Sequence, residues 1–413
     1  MNKVCRISGI TILLSGFISA NCFAGADSIV TYQTPVTQNL SLSDKLTKNT
    51  VQQVGRQVAD WQLAQFDLRS GQMREEDRVS GLPTGWMYAT FNIGLLRWAD
   101  TVKDAGYRQA VENLSAINRW QLGPRRYHAD DQAMGDVYLS LAGKNSDSQK
   151  IAHVVNNFRY VVAHPSDRSL DFRDKRKEVK DTPLRTFKDP WCTIRWCWAD
   201  AIFMAPPVLA HLAAVTDQQQ YLQFMDKEFW ATTDYLFDSE YELYLRDSRY
   251  FDRKDDKGRP IFWGRGNGWV LAGIARTLEY LPDDFIGKSR YVELFQKMSR
   301  TLTTYQNVDG SWPSSLLEKH QAKPESSATG LLVFAMAWGV NNNLLDKDTF
   351  MPVIQKGWQS LVASIHPDGK VGYVQQVAFA PGSATADDTQ LYGSGAVLLA
   401  ASEVYKLTRL LAE

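Results

Sequence analysis

The sequence has little of what builds a metal or redox centre: 413 residues hold only four cysteines and six histidines. The histidines are scattered, and neither they nor the cysteines fall at a metal-ligand spacing. Net charge is absent too. The 46 basic side chains balance 46 acidic ones, so no long-range field draws the chain to nucleic acid or to an anionic membrane. No P-loop, Ser-His-Asp order or zinc signature is present. No Pro-, Gly- or Ser-rich linker divides the chain, which favours one domain. The apolar run Ile7–Ile18 is too short to span a bilayer. These absences predict no metal, no cofactor, no nucleic-acid partner and no membrane partner.

That short run reads instead as the core of an export signal. Lys3 and Arg6 precede it, and Cys22-Phe23-Ala24 offers a small-residue cleavage site before Gly25. Residues 1–24 are therefore expected to be a cleavable signal peptide of a periplasmic or secreted protein, followed by a polar N-terminal arm over 25–42. Asn21 before Cys22 fits a lipoprotein processing site poorly. Cys5 and Cys22 would leave with the signal. Cys192 and Cys197 would stay, either as a disulfide or as two buried thiols.

Aromatic residues are plentiful, with 13 Trp and 17 Tyr. Helical periodicity dominates the rest. It predicts helices from Ser43 to about Phe66, over Thr84–Val102, and over 106–118, 130–142 and 148–162. A charged loop over 166–189 interrupts them as a lid or a solvated insertion. Helices resume at 199–215, 218–236, 267–281, 288–306, 325–341, 347–365 and 388–408, twelve in all. Asn307–Trp312 and His366–Tyr373 each follow a helix with an Asp-Gly turn and strand-like aromatic residues, and Phe237-Asp238 leading to Tyr241–Tyr244 is a looser copy. Helix pairs that cannot bury an apolar face alone must stack on their neighbours. The expected fold is all-α: a single (α/α)6 barrel over 43–413 with short β-hairpin loops at one mouth. A helical solenoid is the alternative.

The candidate chemistry centres on Trp191–His211, where Asp200 follows Trp196, Cys197 and Trp198 and precedes an apolar Ala201–Met204. A carboxyl with so little polar company is hard to ionise, which suits a general acid. The competing reading is that Asp200 caps or bonds within a buried helix. Tyr127-His128-Ala129-Asp130-Asp131 sets two acids at a predicted helix start, where a capping role explains one of them. In Trp263-Gly264-Arg265-Gly266-Asn267-Gly268-Trp269, alternate glycines let a ligand approach the backbone, Arg265 offers a fork to a carboxylate, and two tryptophans can stack. The bland version is a tight turn into a helix near Asn267, with Arg265 in a structural ion pair. The spacing does not fit a dinucleotide loop. Tyr244–Tyr250 adds Arg246 and Arg249 just upstream, and His320 and Glu325–Thr329 precede a helix that they would cap.

Taken together these strings resemble the unsaturated rhamnogalacturonyl hydrolases, glycoside hydrolase family 105, over roughly residues 45–408. The match is most specific at Trp198–Pro207, Trp263–Trp269 and Ala129-Asp130-Asp131, with support from Asp234-Tyr235-Leu236 and Arg246–Phe251. The resemblance implies the (α/α)6 barrel and an oligosaccharide substrate ending in a 4,5-unsaturated uronic acid. It implies Asp200 as general acid/base, and a second Asp at Asp130 or Asp131, Asp130 being favoured. Arg265 and Trp269 would lie at the substrate end, with Asp131, His128, Trp198, Arg246 and Trp263 lining it. Some members carry a His where this chain has Leu245-Arg246-Asp247, a departure that Arg246 would have to fill. Protonation of the ring double bond at C4 and addition of water at C5 would release the next sugar. A polysaccharide lyase on the same toroid and a non-catalytic sugar-binding protein are the competing functions.

Overall fold

The computed structural model describes residues 42–67, 70–73, 81–143, 147–172, 194–318 and 324–410. The expected signal peptide, nearly all of the N-terminal arm, Trp191, Cys192, His320 and most of the charged loop lie outside the described residues.

The helices are α1 (Lys48–Ala64), α2 (Trp86–Val102), α3 (Ala105–Ile117), α4 (Ala129–Gln132), α5 (Met134–Ala142), α6 (Ser148–Ala163), α7 (Ala201–Met204), α8 (Pro206–Thr216), α9 (Gln219–Leu236), α10 (Gly264–Leu278), α11 (Lys288–Thr303), α12 (Ser326–Asn341), α13 (Lys347–Ala363) and α14 (Leu391–Leu410). Two are single turns: α4 runs into α5 through Ala133, and α7 into α8 through Ala205. Pro206 opens α8, where its missing N–H costs nothing but stops α7 from continuing straight. Counted as continuous rods, the described residues hold the twelve helices that periodicity predicts, with ends shifted by a few residues. Polar side chains start several of them. Asp104 accepts from the Gly106 and Tyr107 amides, and Thr47 and Thr50 form a capping box.

Six rods form the interior. α2 packs on α5, α5 on α8, α8 on α10, α10 on α12 and α12 on α14, and α14 packs in turn on α2. The other six each cover one of these: α3 on α2, α6 on α5, α9 on α8, α11 on α10, α13 on α12 and α1 on α14. Sequence follows this division. α12 is buried from Ser326 to Val340, whereas α11 buries one stripe, Tyr291, Leu294, Phe295, Met298 and Leu302. Glycine sets the closest approach. A Cβ on Gly94 of α2 would stand 2.3 Å from the Gly395 carbonyl oxygen of α14, so these two helices meet backbone to backbone.

The expected hairpins are only partly present. Phe237–Asp238 (β3) pairs with Leu243–Tyr244 (β4), so the loosest copy forms the true hairpin, and Phe66–Asp67 (β1) pairs with Gln72–Met73 (β2) where no hairpin is expected. The two Asp-Gly stretches are tight turns. Gly369 takes φ +101°, and Ile365 and Val371 form a single bridge instead of strands. The described residues, all within 42–410, belong to one compact unit. Among the described residues no helix is long and apolar enough to cross a membrane.

Candidate active site

Polar and aromatic side chains gather where the buried helices begin. Trp86 opens α2, His128 caps α4, Asp200 stands before α7, Trp263 before α10 and Glu325 before α12, and Tyr392 is the second residue of α14. Contacts tie these ends to one another. Trp86 stacks on Tyr392 with ring centres 4.9 Å apart and meets Trp269 edge-on at 6.1 Å. Arg265 Nη1 donates to the Tyr392 hydroxyl at 3.3 Å.

Asp200 is buried and makes no capping hydrogen bond with its side chain, so α7 does not explain its carboxylate. Its one side-chain partner among the described residues is Arg246, whose Nε lies 3.2 Å from Oδ2. Burial raises its pKa against the lowering pull of Arg246 and Arg265. The peptide turn is held by the Ala199 amide, which donates to the Arg246 carbonyl at 2.8 Å.

The two adjacent acids occupy the first turn of α4, but neither is its cap. That role falls to His128, whose Nδ1 accepts the Asp130 amide at 3.2 Å. The contact leaves the ring proton on Nε2. Burial, with Arg125 and Arg246 nearby, holds His128 well below the usual imidazole pKa, so it is neutral. Its ring lies against Trp198 at 4.9 Å. Asp131 is buried and bound to Arg125, accepting the backbone amide at 2.8 Å and Nη2 at 2.6 Å. Asp130 receives no hydrogen bond on its carboxylate from any described residue. Its side chain keeps 21% of its surface open, yet protein surrounds it closely enough that burial pushes it up to about 7, with Asp200 and Asp131 adding to the rise.

Arg246 bridges carboxylates. Besides Asp200 it donates through Nη1 to Asp247 at 2.7 Å, and its guanidinium lies 5.2 Å from the Phe172 ring. Asp247 is fully buried and also accepts Arg249 Nε and Nη2, both at 2.8 Å. Phe379, 57% exposed, lies 5.0 Å from the Arg249 guanidinium. The described start of the charged loop docks here: the Phe172 amide donates to Ser248 Oγ at 2.9 Å.

The glycine-rich motif is arranged differently from expectation. α10 begins at Gly264, which places Arg265 inside its first turn. Arg265 is 1% exposed and lies between the Trp263 and Tyr392 rings. Its Nη1 donates to the Gln375 carbonyl at 2.6 Å and Nη2 to the Gln376 carbonyl at 3.0 Å. The fork expected to face a substrate carboxylate is thus filled by the protein's own backbone. Gly264 likewise serves packing, since a Cβ there would stand 2.2 Å from the Pro313 carbonyl oxygen. Trp263 and Trp269 are 2% and 1% exposed, and Trp263 Nε1 donates to Gln375 Oε1 at 3.0 Å. Both are walls behind the site instead of open stacking faces.

Four participants were not among the residues the sequence assigned to the site: Asp247, Gln375, Tyr392 and the half-buried Trp86. Asp247 sits in the quoted Tyr244–Tyr250 string, whereas no pattern marks Gln375. Cys197 is disulfide-bonded, and its partner lies outside the described residues.

A cleft of about 490 Å³ opens elsewhere, between α2, α5, α10 and α14, lined by Arg97, Asp136, Arg276, Glu279 and Tyr280 among others. Its most buried charges are paired: Asp136 binds Arg276 and His211, both at 2.8 Å, and Arg97 binds Glu279 and Glu403. Arg276 also donates to the Phe203 carbonyl at 2.8 Å, so the network braces the short helix that Asp200 precedes.

The profile of Glycosyl Hydrolase Family 88 matches residues 54–408. The chain belongs to that family. The match covers the expected resemblance, since the profile takes in family 88 and family 105 enzymes. An unsaturated 3S-rhamnoglycuronyl hydrolase of Alteromonas sp. (strain LOR) is 40% identical over 359 residues, 86% of each chain. Among solved structures, a family 88 glycosyl hydrolase from Bacteroides vulgatus superposes with TM-score 0.73 at 24% identity, covering 87% of this chain and 99% of that one. A polysaccharide lyase also superposes with TM-score 0.73, at 25% identity, covering 89% and 98%.

Proposed function

We propose that this chain removes a terminal 4,5-unsaturated uronic acid from lyase-generated oligosaccharides by adding water across the C4–C5 double bond. The relative named for unsaturated rhamnoglycuronyl hydrolysis supports this substrate class. The observation that carries the mechanism is the condition of Asp200: buried, unused as a cap, and raised toward its protonated form.

Asp200 donates a proton to C4 and leaves an oxocarbenium-like centre at C5. Water adds there and returns a proton to the Asp200 carboxylate. The resulting hemiketal opens to a ketone at C5, C1 becomes an aldehyde, and the next sugar departs with its hydroxyl. The anomeric carbon is never attacked directly, so carboxylate spacing does not report stereochemistry. Asp130 orients the water or a ring hydroxyl, a role supported by its pKa, pushed up to about 7, and by its carboxylate having no hydrogen-bond donor among the described residues. Arg246, beside Asp200, pairs with the uronate carboxylate in this reading. Arg265 acts from behind, as a buried charge near Asp200. His128, neutral, offers Nε2–H as a donor, and Trp198 supports it.

Three further readings belong with this one. The twelve rods close into the six-hairpin (α/α)6 toroid, supported by α14 packing on α2. Residues 1–24 are a signal peptide, supported by Lys3, Arg6 and Ile7–Ile18, and the mature protein is periplasmic or secreted. Residues 43–413 are one catalytic domain.

The lyase structure favours one rival, a chain that makes the double bond instead of consuming it. Ultraviolet absorbance of the C4–C5 double bond separates the two. Purified protein should erase it from an unsaturated disaccharide, and Asp200→Asn should not. Rising absorbance on intact polysaccharide would establish a lyase, and no change on any fragment would leave a sugar-binding protein.

A further inference from the structure

We propose that Asp247 is a positioning residue for this reaction: it takes the larger share of Arg246 and so leaves Asp200 free to carry its proton. The inference rests on the reading of Asp200 as proton donor. An arginine facing a carboxylate with its two-nitrogen edge forms a strong bidentate pair that holds the acid ionised. Arg246 does not meet Asp200 that way. One nitrogen, Nε, touches Asp200 at 3.2 Å, while Nη1 reaches Asp247 at the shorter 2.7 Å. The catalytic carboxyl receives the weaker contact of a shared guanidinium.

Asp247 is built to hold that share. It is fully buried, its Oδ1 accepts the Arg249 amide at 3.0 Å, and both its oxygens accept from the Arg249 guanidinium. Its carboxylate is therefore fixed, and Arg249 keeps it ionised; its pKa lies below the ordinary value despite burial. Capping the short turn Ser248–Tyr250 and pairing with Arg249 would account for Asp247 if it were merely structural. Neither accounts for the bond to Arg246. The charges run in a row, Asp200, Arg246, Asp247, Arg249, with signs alternating. A change at the far end should reach Asp200 with a defined sign. Asp200 also feels Arg265 at the start of α10, and its neighbour Asp130 feels Arg125 and Asp131 beside α4 and has His128 Nδ1 3.7 Å from Oδ2.

The test is the pH dependence of kcat/KM for double-bond loss from an unsaturated disaccharide, in variants whose thermal transitions show that they fold. The alkaline limb reports the loss of the proton that the neighbouring carboxyls Asp200 and Asp130 hold in the free enzyme, and Arg246 acts on both with the same sign. Asp247→Asn keeps the cap acceptor but removes the charge, so Arg246 bears undivided on Asp200 and the limb should fall by about one pH unit. Arg249→Gln strips Asp247 of its other cation, so the limb should rise. Opposite shifts support the proposal. An equal loss of rate at every pH with the limb unmoved, or shifts of the same sign, would overturn it. Should Asp247→Asn not fold, Arg249→Gln decides alone: a rise supports the proposal and a fixed limb overturns it. Asp200→Asn run in parallel separates this from the underlying reading. If that variant keeps wild-type activity, Asp200 is not the donor and both fall.

Discussion

Asp130 and Asp131 are consecutive residues with opposite commitments: Asp131 accepts hydrogen bonds from the Arg125 amide, Nε and Nη2, while the Asp130 carboxylate accepts none from any described residue. Exchanging each for Asn should therefore split stability from activity. Asp131→Asn should cost about 1–3 kcal/mol in denaturant unfolding, because it strips a buried acceptor from a charged donor. At about pH 4, where the Asp130 carboxyl is protonated in the folded state and about half protonated in the unfolded one, Asp130→Asn should leave the unfolding midpoint near wild type. It should lower kcat by tenfold or more, on the order of the lower range for a lost acid–base group. Equal stability losses would remove the distinction.

Asp200→Asn should lower kcat/KM by about 10²–10⁴-fold, the typical worth of a positioned proton donor. The amide keeps the shape of the carboxyl, so binding of the unsaturated disaccharide, followed by calorimetry, should persist within a few-fold.

Asp130 also gives stability a direction with pH. Its folded pKa, about 7, lies above the ordinary carboxylate value, so the folded state favours the protonated form. Its contribution is fully present below the unfolded pKa and is lost as pH rises through about 7. The Tm of Asp130→Asn relative to wild type should therefore increase between pH 4 and pH 8. A constant difference across that range would contradict the raised pKa.

Arg265→Lys separates a buried scaffold cation from a substrate clamp. A lysine cannot reach the Gln375 and Gln376 carbonyls as a fork, so the variant should lose about 1–3 kcal/mol of stability. With the fold intact at low temperature, KM should change far less than in Arg246→Lys. A selective rise in KM for Arg265→Lys alone would restore it as the uronate ligand.

The contrast between these two arginines shows how far the sequence carries. Helix positions are legible because burying one face repeats every 3.6 residues, as the Tyr291–Leu302 stripe of α11 shows. Asp200 is legible because a lone acid in an apolar string has few means of being satisfied. Arg265, flanked by tryptophans and glycines, looks like an open fork, but the carbonyl that fills it comes from Gln375, 110 residues away. No local pattern encodes that cover. The choice between Asp130 and Asp131 is equally hidden, since it depends on where Arg125 turns its side chain. The Asp-Gly stretches mislead for a related reason: the turns form, but each is followed by too few paired residues to make a ladder.

The arrangement of the helix starts has a wider consequence. Trp86, His128, Asp200, Trp263, Glu325 and Tyr392 each sit where a separate buried helix begins, while Arg97, Asp136, Arg276 and Glu403 tie α2, α5, α10 and α14 together through ion pairs made further along the chain. Durability and selectivity are thus lodged in different residues of the same helices. A change in one turn alters one group of these side chains while the other turns and the ion-paired network keep their places. Sugar preference in such a chain can drift turn by turn, with no renegotiation of the core.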